Sequence, residues 1–113
     1  MSERIPRFLV MDMIDCVGKI LEFIKDHSFE KFIADKRTYD AVIRNLEILG
    51  EAANRMPDYF MNEHVEIEWN KIIGTRNRII HGYDSIDDKI IWDIVKNDLP
   101  NLKSKLESLL SRI

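Results

Sequence analysis

Apolar side chains recur at steps of three and four along four stretches of this 113-residue chain, and none alternates with polar residues as a half-buried strand would. That periodicity allows helices and little else. From about Pro6 to Lys25, Val10, Ile14, Val17, Leu21 and Ile24 share one helix face. Asp26, His27 and Ser28 break the pattern. A short turn through Phe29 and Phe32 should lead to a second helix starting near Asp35. In RTYDAVIRNLEILGEAANRM, Tyr39, Val42, Leu46, Leu49 and Ala53 form the apolar stripe, while Asp40, Arg44, Glu47, Glu51 and Arg55 repeat elsewhere on the helix. Gly50 lies inside it at a cost of about 1 kcal/mol relative to alanine, which implies that another backbone comes close.

Pro57 and Asp58 end that helix, and residues 57–66, which lack a period, are expected to form a connecting loop. A third helix runs from about Glu68 through Trp69, Ile72, Ile73, Ile79 and Ile80 to a glycine stop at Gly82. Ser85 followed by Asp88 reads as a capping box with a shorter acid, opening a fourth helix with Ile86, Ile90, Ile91, Ile94 and Val95. Pro100 should kink or break it before Leu102, Leu106, Leu109 and Ile113 continue. The expectation is one all-α domain over residues 1–113, an up-and-down bundle of four to five helices.

With 45% apolar and 33% charged residues, the chain has material for one core and no disordered tract. Cys16 stands alone, which excludes an intrachain disulfide framework and a multi-cysteine zinc site and fits a reducing cytosol. No window approaches the length of a membrane span, so a cytoplasmic protein is expected. The net charge of −3 means that any nucleic-acid contact must come from a local patch.

Such a patch exists in GTRNRIIHGY, Gly74 to Tyr83. Between Glu68 and Asp84 no acidic residue occurs, while Lys71, Arg76 and Arg78 give a local charge of +3 before His81 is counted. Arginine presents a rigid fork of donors to phosphate oxygens, and histidine can accept and donate protons near neutrality. Together they suit metal-free cleavage of RNA: His81 would move the proton of the 2′-hydroxyl or of the leaving oxygen, and Arg76 would stabilise charge on the phosphate. Lys71 and Arg78 are weaker candidates for phosphate contacts. On a continuous helix Arg76 and His81 point about 140° apart, so the helix must loosen near Gly82 for them to converge. One histidine cannot be both acid and base, and a symmetric dimer pairing two third helices would supply the second. The same residues also fit a solvated basic face with a favourable cation at the helix C-terminus.

TRNRIIHGY resembles the motif of HEPN-domain ribonucleases, and more narrowly that of HepT-like toxins. The resemblance extends to RNLEILGEAANR, EWNKIIGTRN and IIWDIVKNDLPNLK and so covers nearly the whole chain. It implies a dimeric helical bundle with both motifs facing a shared cleft, and metal-independent endoribonuclease activity without a cofactor. By position, Arg76 and His81 match the catalytic pair and Asn77 the polar residue that supports it. Tyr83 matches the tyrosine that a minimal nucleotidyltransferase antitoxin modifies with AMP, which would fill the site with a phosphate and a nucleoside. The partners implied are a second copy, RNA and that antitoxin. An alternative is a nuclease-inactive HEPN subunit that binds nucleotide or substrate for a separate nucleotidyltransferase, and a third is a purely structural dimerisation module.

Other residues carry less. Glu51 either orients Arg76 across the bundle or is a solvated charge. His64 with Glu63, Glu66 and Glu68 lacks the spacing of a metal site, and His27 should complement a helix dipole. Trp69 and Trp92 read as core or dimer interface before RNA stacking.

Overall fold

The stripes become buried helix faces in the computed structural model, which describes residues 4–82 and 86–113. α1 spans Arg4–Phe23 and buries Val10, Met13, Val17 and Ile20 completely. Asp26 reverses the chain with φ of 67°, a left-handed conformation that aspartate tolerates better than most residues. The expected turn through Phe29 and Phe32 is instead a helix, α2, Phe29–Ala34. Ser28 caps it by accepting from the Lys31 amide at 3.1 Å, and Phe32 is fully buried between the rings of Tyr39 and Trp92. A local cap and one ring buried by tertiary contact suffice for six residues that are too few to show a period.

α3, Lys36–Asn54, begins where expected, with Asp35 as its cap. The Asp35 carboxylate accepts from the Thr38 amide at 3.2 Å and the Thr38 hydroxyl at 2.7 Å, and His27 Nε2 lies 3.1 Å away. These hydrogen bonds, with the Thr38 hydroxyl contributing most, hold its pKa down to about 2. His27 thus serves the start of α3, where the sequence suggests only a dipole contact.

Residues 57–66 are not wholly a loop. Pro57, with its fixed φ, precedes a short helix, α4, Asp58–Glu63. Its one fully buried side chain, Phe60, lies against His64 and Trp69, so the segment is tied down by a ring cluster with no repeating stripe to betray it. α5 spans Trp69–His81, and Trp69 is a core residue whose Nε1 donates to the His64 carbonyl at 2.9 Å.

α6, Asp88–Asp93, is capped by Asp87, which accepts from the amides of Lys89 and Ile90. This corrects the capping box read at Ser85 and Asp88: Ser85 lies outside the described residues, and the Asp88 carboxylate accepts from Tyr39 Oη at 2.6 Å. Pro100 does not break the helix. The chain passes through a π-helical turn, Ile94–Asp98, into α7, Leu99–Arg112, with Pro100 in the first turn of α7. A proline there has no N–H and would clash with the carbonyl four residues back. Widening the turn so that the Leu99 amide reaches the Ile94 carbonyl keeps the backbone in the right-handed helical region on both sides.

Among the described residues the protein is all-α. α3 packs between α1 and α5, and α7 packs against α1. α2 and α6 join across one end through Phe32 and Trp92. Core residues come from every helix, and no charged side chain among the described residues is buried. No helix is long and apolar enough to cross a membrane.

Candidate active site around Arg76 and His81

The site is built where α5 crosses α3, and Gly50 sets the distance of closest approach. A Cβ placed on Gly50 would overlap Arg76 Cβ, stand 2.7 Å from Arg76 Cγ and 3.3 Å from the Ile72 carbonyl oxygen. The close approach expected from the sequence is therefore made, chiefly by the stem of Arg76 and only then by backbone. Absence of a side chain at residue 50 is what lets the arginine lie flat on α3.

Once there, the guanidinium is held on two sides. Its Nη2 donates to Glu51 Oε2 at 3.0 Å and its Nη1 to Asn77 Oδ1 at 2.9 Å. The Arg76 side chain is 23% exposed, against 50% for Glu51, so the pair sits at the surface with its apolar stem covered. Arg76 Nε is buried and has no hydrogen-bond partner among the described residues. Of the two readings of Glu51, the structure selects orientation of Arg76. Asn77, by accepting through its carbonyl oxygen, leaves its amide N–H groups turned away from the guanidinium.

His81 occupies the last turn of α5 and is exposed, without a hydrogen-bond partner among the described residues. It lines an open cleft of about 460 Å³ between α5 and α6, together with Asn77, Arg78, Asp87, Ile86 and Ile90. Arg78 is likewise exposed and unpaired among the described residues. Lys71 is not: its Nζ lies 3.1 Å from Asp98 Oδ2 on the π turn, and this contact raises its pKa. A phosphate would have to compete with that carboxylate.

Arg76 and His81 are not brought together within one chain. α5 runs unbroken through His81, and Gly82, with φ of −132°, ends it while its amide still bonds to the Arg78 carbonyl. The loosening that convergence requires does not occur, and about 140° of helix rotation separates the two side chains. Arg76 faces α3 while His81 faces the α6 side. Tyr83 lies outside the described residues. His64 packs on the Phe60 ring at 4.4 Å and sits 3.8 Å from Glu66, and no group of three metal-ligating side chains forms among the described residues.

An all-helical bundle that displays an arginine and a histidine five residues apart on one helix, with the arginine braced by a carboxylate and an asparagine, is consistent with a protein of the HEPN type. Comparison with known proteins narrows the class. The family described as "Ribonuclease HepT-like" matches residues 13–109. A protein of Thermococcus cleftensis named "Probable ribonuclease HepT" is 42% identical over 98 residues, covering 87% of this chain and 89% of its own. Two proteins of Methanocaldococcus jannaschii named as "Putative RNase" are 35% identical over 113 residues and 36% identical over 107. These matches cover 100% and 95% of this chain, and 93% and 98% of the relatives. No solved structure matches the chain. The chain belongs to the HepT-like ribonuclease family.

Proposed function

We propose that this HepT-like ribonuclease is a metal-independent endoribonuclease toxin, working as a homodimer in the cytoplasm and neutralised by a minimal nucleotidyltransferase antitoxin that attaches AMP to Tyr83. The observation that carries the catalytic reading is the bracing of Arg76 by Glu51 and Asn77, five residues before an exposed His81 that has no hydrogen-bond partner among the described residues. A guanidinium fixed in place before substrate arrives loses little on binding a phosphate and is aimed at the charge that develops during reaction. An imidazole with both nitrogens free can move a proton.

In the reaction, His81 takes the proton of the 2′-hydroxyl as its oxygen attacks phosphorus. The bond to the 5′-oxygen breaks, a second histidine protonates that oxygen, and a 2′,3′-cyclic phosphate remains on the upstream fragment. Arg76 and, supporting it, Asn77 hold the phosphate oxygens, while Arg78 and more weakly Lys71 offer further phosphate contacts. Because α5 separates the two groups, a second copy that brings its own α5 alongside would complete the site. Ile80, 39% exposed and one turn beyond Arg76, supports a covered face there. AMP on Tyr83 would place a phosphate and a bulky nucleoside near these groups and shut the enzyme off.

The test is incubation of the purified protein with total RNA in EDTA, followed by mass analysis of the fragment ends. Cyclic phosphate termini, abolished in Arg76→Ala and His81→Ala with helical content unchanged, are the expected result; undiminished cleavage by both variants would overturn the assignment. A second reading, a nuclease-inactive subunit that presents nucleotide to a separate nucleotidyltransferase, is favoured by the open cleft beside His81. A dimer that binds ATP and leaves RNA whole would establish it.

A further inference from the structure

The exposed face of α3 carries a line of arginines that the site has not used. At 100° per residue Arg37, Arg44 and Arg55 fall within about 20° of one another, and Glu51, which holds Arg76, lies about 40° to one side. All three arginines are exposed, and none makes an ion pair among the described residues. Several other cations of this acidic chain are partnered, Lys19 by Asp15, Lys71 by Asp98, Lys89 by Asp93 and Arg112 by Glu66, whereas this face of α3 sets three unpaired arginines in one line. Along the helix axis Arg55 stands about 6 Å beyond Glu51, with Arg44 about 10 Å and Arg37 about 21 Å before it. Arg76, reaching over Gly50 to Glu51, therefore enters the line between Arg44 and Arg55. Asp40 and Glu47 are the carboxylates beside it, about 60° and 80° round from Arg37 on the Glu51 side.

We propose that Arg37, Arg44 and Arg55 form a phosphate track on α3 that leads an extended single strand of RNA across Arg76, an inference that rests on the ribonuclease reading. Charge and chemistry both favour it. Each guanidinium keeps its donors for an external anion, and the spacing of Arg55, Arg76 and Arg44 suits successive phosphates of an extended strand. Pairing of Glu51 with Arg76 offsets the carboxylate nearest the line. Ile48, 40% exposed between Arg44 and Glu51, gives an apolar surface for a ribose or base. A single row of charges matches one backbone and offers nothing to the second strand of a duplex.

The experiment compares two substrates, a single-stranded RNA of about 20 nucleotides and a dinucleotide that spans only the scissile linkage. In Arg44→Gln/Arg55→Gln, kcat/KM for the long strand should fall about tenfold or more and that for the dinucleotide should not change. Binding of the long strand to the His81→Ala protein should show a salt dependence shallower by about 0.7 in slope for each arginine removed. If the wild-type protein cuts RNA and the double variant cuts the long strand equally well with an unchanged salt slope, the track is refuted while the ribonuclease reading stands. If the wild-type protein binds the long strand without cutting either substrate, the ribonuclease reading falls and the salt slopes still decide the track. Absence of binding overturns both. A change in sedimentation of the double variant would assign the face to a subunit interface and overturn the track.

Discussion

Gly50 of α3 and Arg76 of α5 share one contact: the volume that a side chain at residue 50 would need is filled by the Cβ and Cγ of the arginine. The helix carrying Glu51 and the helix carrying the motif are held at the distance where Arg76 reaches Glu51 at 3.0 Å.

Gly50→Ala should for this reason destabilise the protein, against the usual effect of alanine in a helix. The intrinsic gain is about 1 kcal/mol, and pushing α5 off α3 costs about 1–3 kcal/mol, so a net loss of up to about 2 kcal/mol is expected. Urea denaturation measures the stability, and RNA cleavage should fall in parallel because Arg76 moves.

Glu51 holds the Arg76 guanidinium at 3.0 Å, which on the proposed reading makes it a positioning residue. Glu51→Ala should lower kcat on RNA by about tenfold, with helical content unchanged, while Glu51→Gln, which still accepts a hydrogen bond, should recover part of it. Equal loss in both variants would show that the charge matters and the geometry does not.

Acid should loosen the start of α3. The Asp35 pKa is held down to about 2 from an ordinary 3.8, chiefly by the Thr38 hydroxyl and then by His27. A lowered carboxylate pKa stabilises the fold at pH above the unfolded value, and that contribution is lost as pH falls from about 4 through about 2. Circular dichroism across this range should show Asp35→Ala less stable at neutral pH, with the difference from wild type vanishing near pH 2.

Alkali should loosen the other end of the same contact network. Tyr39 is pushed up to about 12, by burial first and then by its hydrogen bond to Asp88. Here the neutral form is the one that the fold favours, so the stabilisation is complete below pH 10 and is lost as pH rises through about 12. Phenolate absorbance should show one tyrosine titrating late, and Tyr39→Phe should abolish that late component and cost about 1–2 kcal/mol.

The helices that repeat an apolar residue over three or more turns were legible in advance: α1, α3 and α5 begin and end within a few residues of expectation. α2 and α4 were not, because a six-residue helix shows at most one buried ring, Phe32 or Phe60, and one point has no period. The π turn escaped for a different reason. Pro100 announces that the backbone must yield but not how, and the widened turn leaves Val95 and Leu99 buried in the core. Arg76 and His81 could be named as candidates from their chemistry and spacing and Asn77 from the family resemblance, whereas the cleft beside His81 could not.

Local chemistry, which depends on neighbours a few positions away, was settled by the sequence itself: helical type, buried faces, the start of α3 near Asp35, and the residues of the motif. Tertiary structure alone decided which charges meet. It matched Arg76 to Glu51, Lys71 to Asp98 and Tyr39 to Asp88, and left Arg37, Arg44 and Arg55 without ion-pair partners among the described residues. Partners 25 to 49 residues apart are chosen by how helices cross, and crossing is governed by side-chain volume at single points such as Gly50, which periodicity does not encode.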